Sequence, residues 1–477
     1  MTTPNASADA ETAESTVLCE NSQGLELHAT LLRVSRFQAA FEVYGPPGIL
    51  RTSEVLPKLK IVVQGRSVYS GRAVVSSLIQ SGSVGVCEAA LEEAGLDVNL
   101  ASPVSDPESL QAGFGTFMRD WGRNYRVHSE FKVVMADLQS FFLDLRLWLE
   151  RLELAVRSQP AGDRSEMERD VLEEVQRPVL PAVAPVLEKF EMLANRVEAD
   201  LQPAHRAYMK RQIHPLVLCS PFLFRTYAKP LGYAGDYEMV NMMMRDPFEG
   251  GSMYAKLVNR IFLNTPPVVA HQHRIEYLTQ QLVAEAQGAA ARGCALRVYN
   301  LGCGPALEIQ RFVANSELCN RTEFSLLDFS EETLVHTSRV LGEIRKRHQR
   351  GTVLHTIRKS VQQVLKDAGK PSAAPKYEMI YCAGLFDYLT DQVCRRLTNY
   401  FYDQLAPGGL LIATNVSAPN PSINWMEYVL DWHLVYRTAA QFRNVAPDRA
   451  PADSVSVKAI GDGVNIALEI RKPHDEH

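Results

Sequence analysis

The 477-residue sequence lacks the features that mark several large classes of protein. It has no apolar run of the roughly 18 residues needed to span a membrane, and its N-terminus lacks the basic and apolar regions of a signal peptide. Its eight cysteines form no Cys-x-x-Cys motif and no Cys/His cluster, so we expect reduced thiols and no metal site. A formal net charge of -5 argues against a nucleic-acid partner. We therefore expect a cytoplasmic protein with no membrane span.

Changes in composition along the chain predict five regions. They are a disordered tail over 1–24, a small β-barrel or sandwich over 25–100, a helical region over 106–210, a helical cap or lid over 211–290, and an α/β domain over 291–477.

Two long helices are predicted in the helical region. One amphipathic face carries apolar residues at three- and four-residue spacing: Phe131, Val134, Leu138, Phe141, Leu145, Trp148 and Leu152. A second helix is expected over 165–198, bent locally by Pro178, Pro181 and Pro185. Spacing does not decide whether these helices pack on each other, on the α/β domain or on another subunit, which leaves a homodimer open.

The C-terminal region alternates strand and helix patterns. Strand patterns cover 297–301, 323–329, 352–357, 378–383 and 409–416, and two further β runs flank Gly461-Asp462-Gly463. Alternation of this kind predicts a doubly wound parallel sheet, here closed by an antiparallel hairpin with a three-residue loop.

The stretch VYNLGCGPALE (298–308) joins a strand to a helix through a Gly-x-Gly turn. A dinucleotide site requires a third glycine, but Leu307 stands there, and the Lys and Ser/Thr of a phosphate-binding loop are absent. An S-adenosylmethionine site needs neither, because its ligand has no phosphate. Asp328, 26 residues after Gly302, ends the next strand and could accept hydrogen bonds from ribose hydroxyls in either kind of site. A tight turn without a ligand is the alternative.

Residues 295–472 resemble a class I S-adenosylmethionine-dependent methyltransferase, whose fold is a Rossmann-like seven-stranded sheet with a terminal reversed hairpin. The resemblance implies S-adenosylmethionine as the cofactor and assigns its contacts. These residues are Asn300, Gly302, Cys303, Gly304, Asp328, Phe329, Ser360, Val361, Cys382 and Ala383, and the last two would face the methyl group together with Tyr381. Asn300 departs from the acidic residue usual at its position, so we expect a modified contact to the cofactor's ammonium group.

The segment 415–438 combines a broad apolar helix surface with interleaved polar residues. Such a wall suits a lipid-like acceptor with a charged head group, whose carboxylate Arg437 could bind. Core packing of the aromatic residues, and a structural role for His433, are the alternatives.

Three motifs together resemble the bacterial 3-hydroxy fatty acid methyl ester synthases: FRTYAKPLGYAGDYEMV (224–240), YCAGLFDYL (381–389) and NPSINWMEYVLDWHLVYRT (420–438). The resemblance implies carboxyl O-methylation of a 3-hydroxyacyl acceptor, free or on an acyl carrier, in the manner of quorum-signal synthesis. It implies Tyr388, His433 and Arg437 as catalytic residues and Tyr233, Trp432 and Tyr436 as acceptor-binding residues. The segment 225–240 would be a lid, with Tyr227, Lys229, Asp236 and Tyr237 as further candidates.

The N-terminal barrel resembles a PilZ domain, a family that binds cyclic di-GMP. Arg33 and Arg36 are spaced one residue too closely for the family's Arg-x-x-x-Arg motif, and residues 51–56 lack the acidic start and glycine of its second motif. We therefore expect a degenerate barrel without nucleotide binding.

Two other functions stay open at this stage. One is methylation of another small molecule or of a protein side chain. The other is a non-catalytic signalling module that only binds the cofactor.

Overall fold

A closed six-stranded barrel forms the N-terminal part of the computed structural model, which describes residues 15–63, 66–81, 84–92, 111, 114–115, 118, 126–368 and 376–474. The strand order around the barrel is β1-β2-β3-β6-β5-β4. The strands are β1 (Thr16–Glu20), β2 (Glu26–Val34), β3 (Gln38–Tyr44), β4 (Val55–Val63), β5 (Arg66–Ser81) and β6 (Val84–Leu91).

The predicted tail over 1–24 is wrong for its last part. β1 lies between β2 and β4 and pairs antiparallel with both, so it closes the barrel. Val17 and Cys19 alternate into the barrel core, as the two-residue period of a strand requires. The polar residues around this short strand concealed it in the sequence. Residues 1–14 lie outside the described part of the chain.

Two long helices follow, α1 (Ser129–Arg157) and α2 (Arg164–Ala194). The predicted face of α1 is partly wrong, because Phe142 and Leu149 are buried while Trp148 is 47% exposed. The buried stripe alternates steps of four and three residues from Phe131 through Met135 to Leu149, whereas the predicted stripe began with a step of three, so the two share only every second position.

Helix α2 is continuous through Pro178, Pro181 and Pro185, so none of the three prolines ends it. All three lie on its exposed side, where a lost hydrogen bond can be replaced by water.

The cap consists of shorter helices whose side chains share one apolar core with α1 and α2. They are α3 (Gln202–Val217), α4 (Pro221–Ala228), α5 (Tyr237–Met242), α6 (Met253–Leu263) and α7 (Pro266–Ala291).

The C-terminal sheet has seven strands in the order β12-β13-β11-β10-β7-β8-β9. Its strands are β7 (Leu296–Leu301), β8 (Thr322–Asp328), β9 (Val353–Arg358), β10 (Tyr377–Cys382), β11 (Leu405–Val416), β12 (Val455–Ile460) and β13 (Asn465–Arg471). All neighbouring pairs are parallel except those that β13 makes with β11 and β12. The predicted α/β class, with a Rossmann-like seven-stranded sheet, a terminal antiparallel hairpin, a preceding helical region and an N-terminal barrel, is confirmed.

Helices cover both faces of this sheet. They are α8 (Leu307–Asn315), α9 (Glu331–Arg347), α10 (Val361–Asp367), α11 (Asp391–Gln404) and α13 (Ala439–Arg443), together with the C-terminal half of α7. Helix α12 (Ile423–Leu430) packs instead in the apolar core shared with α1 and α2. Among the described residues, none of the helices in the chain is both long enough and apolar enough to cross a membrane.

Two local expectations in this domain are wrong. The hairpin loop has four residues rather than three, because Ile460 pairs with Asn465. The helix surface expected within 415–438 ends at Leu430, because Asp431 adopts a left-handed backbone conformation with φ 47°. Trp432 and the residues up to Thr438 are therefore not helical.

Candidate active site

The Gly-x-Gly turn lies at the carboxyl end of β7, which pairs with β10 on one side and β8 on the other. Gly302 and Gly304 have φ values of 70° and 51°, a region that favours glycine. The amides of Gly302 and Cys303 both donate to the carbonyl of Leu327 on the neighbouring strand, over 2.8 and 3.0 Å. A side chain at Gly304 would project into open space, so the turn leaves room for a ligand.

Asp328 ends the adjacent strand β8 beside this turn. Its Oδ2 accepts from the Gly304 amide over 3.3 Å, and its Oδ1 accepts from the Ser330 amide over 3.0 Å. Burial raises the pKa of this carboxyl, while these amides and the guanidinium of Arg51 oppose that shift. The carboxylate is thus held by backbone donors and keeps lone pairs for a further donor.

A single cavity, with about 1570 Å³ of empty space including its mouth, extends from this turn over the carboxyl edge of the sheet. Most of the predicted site residues line it: Tyr233, Asn300, Gly302, Cys303, Gly304, Asp328, Phe329, Ser360, Val361, Ala383, Tyr388 and Trp432. The lid residue Tyr237 and the strand residue Tyr381 line it as well.

The wall of the cavity beside Asp328 is a stack of rings and a guanidinium. The ring centroids of Tyr233 and Phe329 are 4.9 Å apart, and the guanidinium of Arg51 lies 4.6 Å from the Phe329 centroid. Tyr233 belongs to the cap and Arg51 to the barrel, so three separate parts of the chain meet here.

Tyr388 and Trp432 are joined in another part of the cavity wall. The indole Nε1 of Trp432 donates to the hydroxyl oxygen of Tyr388 over 2.9 Å. Burial raises the pKa of Tyr388 well above its ordinary value, so the phenol stays protonated at neutral pH. Its proton is then available as a hydrogen-bond donor, and Tyr388 is not a general base.

Arg437 does not line the cavity, and the expectation that it binds an acceptor carboxylate is wrong. The residue is 1% exposed. Its guanidinium donates to Asp391, to Asn415 Oδ1, and to the carbonyls of Phe386 and Leu389, over 2.6 to 2.9 Å. These partners occupy its donors and leave it a structural role in joining β11 to the turn before α11.

Three other predicted site residues also lie outside the cavity lining. The Cys382 side chain packs with Phe386 in the apolar core, because side chains alternate along β10 and its neighbours Tyr381 and Ala383 face the cavity. His433 is buried with its Nδ1 3.6 Å from Glu427, and burial lowers its pKa. Tyr436 packs against the helical core.

Of the lid candidates, some line the cavity and others are held by contacts elsewhere in the protein. Tyr227 and Lys229 do not line the cavity; the Lys229 ammonium group is buried and donates to the carbonyl of Leu430 over 2.7 Å. Asp236 caps α5 and pairs with Arg225 over 2.9 Å.

The sequence reasoning missed the contribution of the barrel. The loop between β3 and β4, residues 45–54, reaches the cavity and supplies Arg51, Thr52 and Glu54. Ser53 anchors this loop, since its Oγ donates to the carbonyl of His433 over 2.8 Å and accepts from the amide of the same residue. No local signal in residues 45–54 marks a contact almost 400 positions away.

Two residues of α7 were missed as well, Arg274 and His271, which both line the cavity. Arg274 lies among the apolar residues Ile275 and Leu278, and this position could have indicated a functional residue, because a charged side chain is rarely buried unless it is paired. Burial lowers the pKa of His271, so its imidazole is neutral at pH 7.

Asn300 tests whether the cavity fits S-adenosylmethionine. It is 1% exposed, and its Oδ1 has no hydrogen-bond partner. A buried acceptor without a donor costs free energy, and an ammonium group in the cavity would remove that cost. The unpaired oxygen, the open glycine turn and the carboxylate of Asp328 are compatible with the amino group, the chain and the ribose of this cofactor.

Comparison with solved structures finds proteins of low similarity. A protein from Bordetella parapertussis described as a possible exported protein has 16% identity and a TM-score of 0.40, with 62% of this chain and 97% of that chain covered. An O-methyltransferase family protein from Burkholderia thailandensis has 12% identity and a TM-score of 0.33, with coverages of 59% and 75%. Magnesium protoporphyrin IX methyltransferase from Synechocystis PCC 6803, with bound S-adenosylhomocysteine, has 12% identity and a TM-score of 0.31, with coverages of 43% and 84%.

No family model matches the chain, and no curated protein matches it in sequence. The strand order of the chain itself therefore defines its fold as a Rossmann-like seven-stranded α/β sheet with a terminal antiparallel hairpin.

Proposed function

We propose that this protein is an S-adenosylmethionine-dependent methyltransferase that converts the carboxyl group of a 3-hydroxy fatty acyl acceptor into its methyl ester. The cofactor assignment is supported by three features that lie together in one cavity: the Gly302–Gly304 turn, the carboxylate of Asp328 and the unpaired Oδ1 of Asn300. S-adenosylmethionine supplies an electrophilic methyl group when bound.

Each residue would hold a different part of the cofactor. Asp328 would accept from the ribose hydroxyls, and Phe329 would lie against the adenine, with Ser360 and Val361 at its edge. Asn300 would accept from the ammonium group. Gly302 and Gly304 would allow the backbone to approach the methionine chain.

The apolar part of the cavity supports a lipid-like acceptor. Met426, Trp432 and Leu434 line it, and all three belong to the segment that follows the fifth strand of the domain. Tyr388, bonded to Trp432, could donate to an oxygen of the acceptor and orient it. Methylation of a carboxylate removes no proton, so the lack of a base at Tyr388 is compatible with this reaction.

The neutral imidazole of His271 favours a second candidate reaction. A hydroxyl or amine acceptor must lose a proton, and a neutral histidine in the cavity could accept it. Methylation of another small molecule is therefore the alternative to ester formation.

Calorimetry with S-adenosylmethionine tests the cofactor assignment on the full chain. We expect binding, and we expect Asp328→Asn to weaken it by about 10- to 100-fold, since a hydrogen bond to a charged group contributes about 1.5–3 kcal/mol. Glu323→Gln, on the same strand but outside the cavity lining, is the matched control and should bind as the wild type does. Absence of binding in the wild type would refute every methyltransferase assignment.

Mass spectrometry tests the acceptor. The wild type with S-adenosylmethionine and 3-hydroxy fatty acids, free or on an acyl carrier, should yield methyl esters. Cofactor binding without ester formation from any of these acids would refute the acceptor assignment alone. Lipid extracts of cells with and without the protein would then be compared for other methylated products.

A further inference from the structure

Arg274 is a buried cation that the described part of the protein leaves without a partner. It is 6% exposed, and its Nη1 has no hydrogen-bond partner. No carboxylate among the described residues lies within ion-pair distance of its guanidinium. Removal of a guanidinium from water costs several kcal/mol unless another group replaces the lost hydration.

The nearby acidic residues are engaged elsewhere. Asp387 accepts from the amide of Val416 over 2.6 Å, and Glu308 accepts from the hydroxyl of Tyr381 over 2.6 Å. Both line the cavity and favour the charged form of Arg274 from a distance, without an ion pair. They keep the guanidinium cationic but leave its donor available.

The position of Arg274 within the cavity indicates what it could bind. Its Nη2 lies about 3.0 Å from where a side chain at Gly384 would begin, and Gly384 follows the end of β10. Tyr381 and Ala383 of the same stretch line the cavity beside it. The guanidinium therefore lies beside the end of β10, whose Tyr381 pairs with Asn300 at the end of β7, near the methyl-transfer position expected from the proposed function.

We propose that Arg274 is a carboxylate-binding residue of the cavity. A guanidinium presents paired N–H donors whose geometry matches a carboxylate, and a buried site strengthens that contact. Arg274 thereby takes the role that the sequence suggested for Arg437. The inference rests on the proposed function for the identity of the carboxylate, which belongs either to the methionine part of the cofactor or to the acyl acceptor.

The substitution Arg274→Gln removes the charge, and Arg274→Lys keeps it. Arg292→Gln, at the exposed C-terminal end of the same helix α7, is the matched control. Binding of four ligands to the full-length variants is measured by calorimetry: S-adenosylmethionine, its decarboxylated analogue, 3-hydroxypalmitate and decanoate. Thermal unfolding of each variant checks that it is folded.

The two sources of the carboxylate give different results. If Arg274 binds the cofactor, the wild type prefers S-adenosylmethionine to its decarboxylated analogue by about 10- to 100-fold, and Arg274→Gln abolishes that preference. If Arg274 binds the acceptor, Arg274→Gln weakens the binding of 3-hydroxypalmitate and of decanoate by a similar factor and leaves the affinity for S-adenosylmethionine unchanged. Arg274→Lys should restore part of the affinity in either case, and Arg292→Gln should match the wild type.

A folded Arg274→Gln variant that binds all four ligands as the wild type does overturns the proposal. A wild type that binds decanoate through Arg274 but not S-adenosylmethionine refutes the proposed function and retains the carboxylate site. A wild type that binds none of the four ligands refutes both.

Discussion

At the scale of single residues, Arg437, which the sequence suggested as a ligand-binding residue, lies outside the cavity lining, whereas Arg274, which the sequence analysis missed, lines it. Arg437 follows a conspicuous aromatic segment, yet every direction of its guanidinium is occupied by protein acceptors. Arg274 stands in an unremarkable helix and has a donor without a partner. Which of two arginines is available to a ligand depends on neighbours that are distant in sequence.

Arg437→Gln should therefore reduce stability rather than selectively impair methyl transfer. The change leaves the carbonyls of Phe386 and Leu389 and the Asn415 oxygen with fewer donors, and we expect a loss of about 3–5 kcal/mol in the free energy of unfolding. Urea denaturation measures it. The control is Arg396→Gln, an exposed arginine on α11 that should change stability little. A variant with wild-type stability that fails only to bind the acceptor would contradict this assignment.

Lys229 should make the free energy of unfolding depend measurably on pH. Burial lowers its pKa from 10.5 to about 7, although Asp431 opposes the shift. Between these two values the unfolded chain holds a proton that the folded chain lacks, so the free energy of unfolding rises with pH.

We expect this contribution to increase by about 1.4 kcal/mol per pH unit above pH 7. Urea denaturation of the wild type and of Lys229→Met at pH 7 to 9.5 isolates it, because the variant should lack this slope. Lys132→Met, at an exposed position of α1, should keep the wild-type slope. Equal slopes in the wild type and Lys229→Met would show that the buried amine does not titrate in this range.

At the scale of elements, α2 shows that surrounding packing can outweigh propensity. Pro181 removes an amide donor from the helix interior, which usually costs about 3 kcal/mol relative to alanine. The helix persists because its other face carries Val175, Val179 and Val183 into the core shared with α1. Helices in proteins take most of their stability from such burial.

Pro181→Ala should stabilise the protein. The restored amide can donate to the carbonyl one turn earlier, and part of the gain is offset because alanine makes the unfolded chain more flexible. We expect the free energy of unfolding to increase by about 1–2 kcal/mol in urea denaturation. A neutral or destabilising result would indicate that the proline ring supports a contact of its own.

At the scale of the whole molecule, the barrel and the α/β domain form one site. The loop over 45–54 is held to the segment after α12 by Ser53 and lines the cavity through Arg51. The amide of Val55 also donates to the carbonyl of Gly232 over 2.8 Å, which fixes the barrel to the cap. The barrel is thus positioned to influence ligand binding in the cavity.

The double variant Arg51→Ala/Ser53→Ala in the full chain should weaken S-adenosylmethionine binding in calorimetry. Removal of the guanidinium exposes the face of Phe329 to water, and a desolvated contact of this kind contributes about 1–2 kcal/mol, or about 5- to 30-fold in affinity. Leu32→Ser, on the exposed surface of β2, is the control. Unchanged or tighter binding in the double variant would show that the barrel does not contribute to cofactor binding.

The sequence by itself determined the sheet, its terminal hairpin and the turn at Gly302, because these depend on residues that are close together in the chain. The alternation of buried and exposed positions has the period of a strand, and a backbone that must adopt positive φ requires glycine nearby. The same local logic located Asp328, since the end of one parallel strand must lie beside the end of the next.

Only the tertiary structure decided which side chains reach the cavity. The strand β1 pairs between β2 and β4, Arg51 arrives from the barrel, and Arg274 arrives from the cap. Arg437 does not reach the cavity, because its guanidinium donates to carbonyls on the turn before α11. The burial and pairing of charged groups depend on long-range packing. The sequence pattern alone therefore does not predict which distant acceptor pairs with which donor.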